Sequence, residues 1–299
     1  MTSGIQWRRS LLAAGVTEDE LRRWLRAGSL VPLRRGAYAT GLPPRPEDQH
    51  LLQALAAARE LAPDAVLSHV SAAVLHGLDV WGVSLDRVHV TRHRRSGVRI
   101  GRQIHVHAAT LAPHEIVSLH GLRVTSLART VADNARSLPM PPAVVIADSA
   151  LHTGTVTHAE LVDALGERRP GAAAARRILT FADGRADNPG ESLSRVQMRL
   201  AGLPPPDLQH TVLTRGGRFV GTVDFWWPGV VGEFDGRVKY GRLLEPGQEP
   251  GDVVWKEKVR EDAIRAEDHA VVRWIWADLT NFDPVAAMLR ERIGRGHRR

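Results

Sequence analysis

Residues Asn188–Tyr240 read NPGESLSRVQMRLAGLPPPDLQHTVLTRGGRFVGTVDFWWPGVVGEFDGRVKY, and their apolar spacing changes from helical to alternating partway along. Pro189 and Gly190 open a helix on which Leu193, Val196, Leu200 and Leu203 recur at helical spacing, with Glu191 in the first turn. In RFVGTVDFWWP, Phe219, Gly221, Val223 and Phe225 share one strand face; Val220, Thr222, Asp224 and Trp226 share the other. Pro228-Gly229 turns the chain into VVGEFDG, where alternation puts Glu233 and Asp235 on one face. An acid inside an apolar strand is costly unless it is paired or binds metal. Carboxylates delivered from a helix and two neighbouring strands suit Mg²⁺, a hard cation, next to a phosphodiester. The alternative is a buried network with arginine, and Glu191 alone is what a helix dipole favours.

Working downstream, 241–252 reads as a loop and 254–268 as a helix with Trp255, Val259 and Ala263 inward, and with Lys256 and Arg260 one turn apart on another face. The three lysines of the chain, Lys239, Lys256 and Lys258, all fall here. A lysine beside a metal-bound water can orient it, stabilise developing charge or hold phosphate. VVRWIW (271–276) is a further strand, and Asp283-Pro284 starts a closing helix. Helix, hairpin, helix, strand, helix gives a small α/β core with one mixed sheet.

Working upstream, the charge is uneven. Residues 1–45 hold eight arginines against three acids, whereas the remainder is nearly balanced within the total of +7. A local basic excess points to a polyanion partner. Residues 4–14 read as a short helix, and Thr17 with Glu20 forms a capping box for a second, 18–27, buried through Leu21, Trp24 and Leu25. Gly28 stops it. LVPLRRGAYAT then forms two extended runs hinged near Arg34-Arg35-Gly36, a β-wing. Helix, turn, basic helix and wing compose a winged helix-turn-helix whose second helix suits the major groove of DNA. Arg22, Arg23, Arg26, Arg34 and Arg35 are the nucleic-acid-binding candidates. The alternative is a winged helix that binds protein, with solvated arginines.

GLPPRP (41–46) is a stiff linker to an α+β middle part with helices near 47–61, 68–78, 126–136, 142–152, 157–166 and 171–182, and strands within 86–108. His105 and His107 share a strand face, with His89 and His93 near in sequence. Imidazoles suit zinc, but no further ligand stands at a supporting spacing. The favoured reading is a basic, solvent-facing hairpin with Arg92, Arg94, Arg95, Arg99 and Arg102. Asp133 reads as an intrahelical partner of Arg129 and Arg136. Asp64, Ser68 and His69 do not make a hydrolytic triad, because no nucleophile elbow accompanies them. With no cysteine there are no disulfides or thiolate metal sites. Without a membrane-length apolar run or a signal segment, a cytoplasmic protein with no membrane partner is expected.

The C-terminal order resembles the PD-(D/E)XK nuclease superfamily, most closely its very-short-patch-repair-like, DUF559-type branch, through Glu191, Gln209, Asp224, Glu233 and Asp235. That resemblance implies Mg²⁺ (or Mn²⁺) held by Asp224 and Glu233, with Glu191 as an accessory acid. It departs in two places. Asp235 stands where the superfamily has lysine, and the histidine that often follows the DG turn is absent, with Lys239 and Lys256 as spatial substitutes. GVTEDELRRWLRAGSLVPLRRGAYA (Gly15–Ala39) resembles the winged-helix domain of AbiEi-type type IV antitoxins, as SHVSAAVLHGL and VTSLARTVADNAR resemble that family's second domain. The expected architecture is multidomain α+β: a winged helix-turn-helix (1–45), an α+β middle domain (46–186) and a restriction-endonuclease-like α/β core (187–299). Two functions follow as expectations. One is a DNA-binding, Mg²⁺-dependent endonuclease using Glu191, Asp224, Glu233, Asp235, Lys239 and Lys256. The other is an antitoxin-like repressor with a toxin protein as partner and a nuclease fold that does not cut.

Overall fold

A computed structural model describes residues 4–93, 97, 99–166, 170–236 and 259–296. The chain is mixed α and β, and its packing divides into two compact units, one formed by residues 1–150 and 154–181, the other by 151–153 and 182–299.

The first unit begins with β1 (Ile5–Trp7), α1 (Arg8–Ala13), α2 (Glu18–Arg26), β2 (Val31–Arg34) and β3 (Ala37–Ala39). The expected helix over 4–14 is therefore a strand leading into a short helix. β1 finds a partner in β3, and the order β1-β3-β2 makes an antiparallel sheet. The Thr17 cap forms as the sequence implies: its hydroxyl accepts from the Glu20 N–H, and the Glu20 carboxylate accepts from the Thr17 N–H at 2.8 Å. Gly36, at φ 73°, supplies the left-handed residue of the β2–β3 turn. Leu21 is buried with Leu30 and Tyr38, whereas Trp24, expected inward, is 37% exposed.

Packing continues from residues 1–45 into α3 (Pro46–Ala58). Leu55 and Ala56 of α3 meet Ile5, Leu33, Ala37 and Ala39. Ala54 and Ala57 instead join Leu67, Val88, Val90 and Val124. The last group belongs to a six-stranded mixed sheet in the order β6-β7-β5-β4-β9-β8. Its strands are β4 (Ala65–Leu67), β5 (Val88–Arg92), β6 (Arg99–Ile100), β7 (Ile104–Ala108), β8 (Ile116–Leu119) and β9 (Leu122–Thr125). Helices α4 (His69–Leu75), α5 (Leu127–Ser137), α6 (Met140–His152), α7 (His158–Asp163) and α8 (Ala172–Phe181) complete the region.

Strands β4, β8 and β9, each three or four residues long, add to the strands expected within 86–108. The expected solvent-facing hairpin forms only between β6 and β7, which pair antiparallel with Arg99 and Arg102 exposed. β5 and β7 pair in parallel, and β6 lies outside β7. Alternation along a strand assigns its faces, but it does not say which strand lies alongside.

The second unit contains α9 (Pro189–Leu200), β10 (Asp207–Leu213), β11 (Phe219–Trp227), β12 (Val230–Asp235), a helix α10 over the described residues 259–266, β13 (Ala270–Ile275) and α11 (Asp283–Gly296). The sheet order is β10-β11-β12-β13, antiparallel except for the parallel β12–β13 pair, so the expected mixed sheet is present. Val212, Val223, Val231 and Ile264 form part of its core. On α9, Leu193 and Val196 are buried, with Leu203 just beyond the helix, but Leu200 is 70% exposed. On α10, Ile264 points inward, whereas Val259 is exposed. The α9 backbone lies close to β12: a Cβ built on Gly190 would sit 1.9 Å from the Phe234 ring. The indole N–H of Trp274 on β13 donates to Ser194 Oγ at 2.7 Å, which ties α9 to the far strand.

Candidate functional site

Glu191 lies in the first turn of α9, capped by Asn188, whose side-chain oxygen accepts from the Glu191 N–H at 3.1 Å. The cap turns the Glu191 side chain inward, where it is buried. Its carboxylate accepts from the Asp187 N–H at 2.9 Å, the Gln209 amide at 3.0 Å and the Asn188 amide. Gln209, with φ 50°, falls opposite Asp224 in the β10–β11 register, between the pairs Leu208↔Phe225 and His210↔Val223. Asp224 accepts the Phe234 N–H at 2.8 Å from the adjacent strand.

Burial pushes the Glu191 carboxyl up to about 7, and the negative charge of Asp224 adds to the effect. Burial likewise pushes Asp224 up to about 6; the Phe234 N–H opposes this and the charge of Glu233 reinforces it. No ion pair reaches Glu191 or Asp224 among the described residues.

Glu233 has a different environment. It is buried on β12 between two guanidiniums, Arg260 of α10 at 2.6 Å and Arg273 of β13 at 2.7 Å. This is the arginine network that the sequence left open as an alternative, and it arises because β13 runs parallel to β12 with Arg273 opposite Glu233. Asp235 ends β12 and is half-buried. The structure therefore brings Glu191, Gln209 and Asp224 together, and joins Glu233 to two cations. Lys239, Lys256 and Lys258, together with Trp255 and the loop 241–252, lie outside the described residues.

In the first unit, Arg22, Arg23 and Arg26 stand exposed on α2, and Arg35 is exposed in the β2–β3 turn. Arg22 also pairs with Asp19 at 3.0 Å. Arg34 does not join them. Its side chain is 10% exposed and pairs with Glu60 at 2.7 Å, at a point where a register shift between Pro32 and Arg34 interrupts the alternation of β2.

A second polar cluster was missed by sequence reasoning. His69 opens α4, His89 sits on β5 and His107 on β7, and one nitrogen from each lies within 4.8 Å of the others. Among the described residues no other group of three histidines or acids is that close. The available signal was the pair His105 and His107; the missing ligand came from His69, thirty-eight residues earlier. Nearby, Arg129 is wholly buried between Asp133 and Glu115, both at 2.8 Å, and Arg136 also pairs with Asp133. Asp64 grips Arg92, which keeps it from serving Ser68 and His69 as a triad acid.

No protein-family model matches the chain. It is 32% identical over 227 residues to uncharacterized protein MT2308 of Mycobacterium tuberculosis (strain CDC 1551 / Oshkosh), covering 71% of this chain and 75% of that one. The same figures hold for uncharacterized protein Rv2248 of M. tuberculosis (strain ATCC 25618 / H37Rv). The chain belongs to the family of these mycobacterial proteins. The crystal structure of RV2827C protein from M. tuberculosis matches 71% of this chain and 84% of that chain, with a TM-score of 0.39 and 16% identity.

Proposed function

We propose that this chain is a DNA-binding protein whose second unit is a Mg²⁺-dependent endonuclease of the PD-(D/E)XK type. One observation carries the reading: Glu191, buried at the start of a helix, and Asp224, half-buried on a strand, are each raised by burial and by neighbouring negative charge. Two carboxyls so placed gain most from a shared hard cation. Their all-oxygen donor set fits Mg²⁺ or Mn²⁺. In place of the Asp224–Glu233 pair that the resemblance implies, Asp224 and Glu191 would hold the ion, because Glu233 is paired with Arg260 and Arg273. A bound Mg²⁺ supplies a more acidic water and charge stabilisation at the leaving oxygen. Arg260 and Arg273, paired with Glu233 and, for Arg273, also with Glu261 at 3.1 Å, would be the guanidiniums available to a phosphate at this face. Gln209 keeps the Glu191 carboxylate oriented. Arg22, Arg23, Arg26 and Arg35 of a winged helix would carry the chain to the DNA backbone.

The clamp on Glu233 favours a second reading, in which the acids are structural and the protein is an antitoxin-like repressor with a toxin protein as partner. Plasmid nicking in Mg²⁺ or Mn²⁺ separates the two. The nuclease reading expects nicking by wild type that disappears in Asp224→Asn while DNA affinity stays within about twofold, since no lost phosphate contact is involved. Wild type that binds DNA yet never nicks it would move the function to the first unit.

A further inference from the structure

We propose that His69, His89 and His107 form a binding site for a divalent transition-metal ion of the zinc class, separate from the carboxylate site of the second unit. The site is assembled from three elements. β5 and β7 pair in parallel, so His89 and His107 come from adjacent strands, with His107 Nε2 3.1 Å from His89 Nδ1. Nitrogens bound tetrahedrally to one zinc ion lie about 3.3 Å apart, given metal–nitrogen bonds of about 2.0–2.1 Å. That edge of the site already has the needed dimension, and the third nitrogen lies within 4.8 Å of both, brought to the ion by splaying the stacked His69 and His107 rings.

His69 reaches the strands through an uncommon backbone conformation. It sits at φ 53° as the first residue of α4, a region non-glycine residues seldom occupy unless the surroundings demand it. Its ring then stacks on His107, with centroids 3.5 Å apart. A supporting shell holds the rings. His69 Nδ1 faces Ser68 Oγ at 3.0 Å, and Ser68 in turn accepts the Thr91 hydroxyl at 2.8 Å. Metal binding through Nε2 requires the tautomer in which His69 Nδ1–H donates to Ser68 Oγ. Ser71 Oγ takes the His89 N–H at 2.7 Å and contacts His50 Nε2 at 2.8 Å, fixing β5 against α3 and α4.

The electrostatics agree with this geometry. Burial holds His69 and His107 far below the usual histidine range and His89 down to about 4, so all three imidazoles are neutral near pH 7, as ligands must be. Nearby cations are largely matched: Arg129 pairs with Asp133 and Glu115, and Arg136 with Asp133, while the charge of Arg87 reaches His89. Nitrogen ligands select zinc, cobalt, nickel or copper over Mg²⁺. Three protein nitrogens leave one coordination position open for water or a small anion.

The test is Co²⁺ titration of the metal-free full chain, read by visible absorption, followed by Zn²⁺ displacement. With excess Mg²⁺ present to occupy the carboxylates, one Co²⁺ per chain is expected, with the intense bands of a tetrahedral nitrogen site, displaced by Zn²⁺. His89→Gln and His107→Gln should each weaken uptake by more than about 100-fold, beyond the cost of losing a supporting hydrogen bond. Glu191→Gln should retain it. Only the weak bands of hydrated cobalt in wild type, or uptake that survives both histidine changes, would overturn the assignment. Should those variants fail to fold, wild-type histidine ¹⁵N spectra decide: three imidazoles shifting with zinc supports the site, and none shifting overturns it.

Discussion

Glu191 illustrates how one buried side chain ties stability to pH. Its folded carboxyl, pushed up to about 7 from an ordinary 4.5, holds its proton more tightly than the unfolded one. That contribution is fully present below about pH 4.5 and is lost as pH rises through about 7. A shift of this size corresponds to about 3 kcal/mol. In chelator, stability measured by urea unfolding should therefore fall across this window, and Glu191→Gln should flatten the slope. An unchanged slope would place the carboxyl in a more polar setting. Gly190 carries a steric requirement instead. Its Cβ would strike the Phe234 ring, so Gly190→Ala should lower stability by about 1–3 kcal/mol or more, measured as a drop in the urea midpoint.

At the scale of elements, the capped helix α2 was the most legible part of the chain. Thr17 and Glu20 announce its start by local hydrogen bonding alone, and both bonds form. Thr17→Ala should cost about 1 kcal/mol in thermal unfolding. Its exposed arginines make a separate forecast: Arg23→Ala and Arg26→Ala should each reduce the slope of log affinity for DNA against log salt by about one. Arg34→Ala should leave that slope unchanged and lower stability instead, since its partner is Glu60. Unchanged slopes for both Arg23→Ala and Arg26→Ala would remove DNA from this helix. Arg34 looked equivalent to Arg35 in sequence because the end of β2 and the register shift beside it are tertiary features, as is Glu60, twenty-six residues away.

For the whole molecule, division into two compact units separates the two candidate sites, the carboxylates in one and the histidines in the other. Zinc at about one hundred times its dissociation constant should add about 2.7 kcal/mol to the first unit. Calorimetry should show that transition moving while the other stays, and the effects of His89→Gln and Asp224→Asn should add. A single transition shifted equally by both changes would mean that the units unfold together.

Periodicity and capping in the sequence determined most helices, the long strands β11, β12 and β13, and the clustering of acids between Glu191 and Asp235. These follow from contacts within a few residues, which composition and spacing encode directly. Tertiary structure alone decided the rest. It set Arg273 across from Glu233 through a parallel pairing, drew Arg34 inward to Glu60, and inserted β7 beside β5 so that His107 meets His89 and the distant His69. Each of these depends on which strand lies alongside which, a choice made by burying whole faces at once, and no local pattern records it.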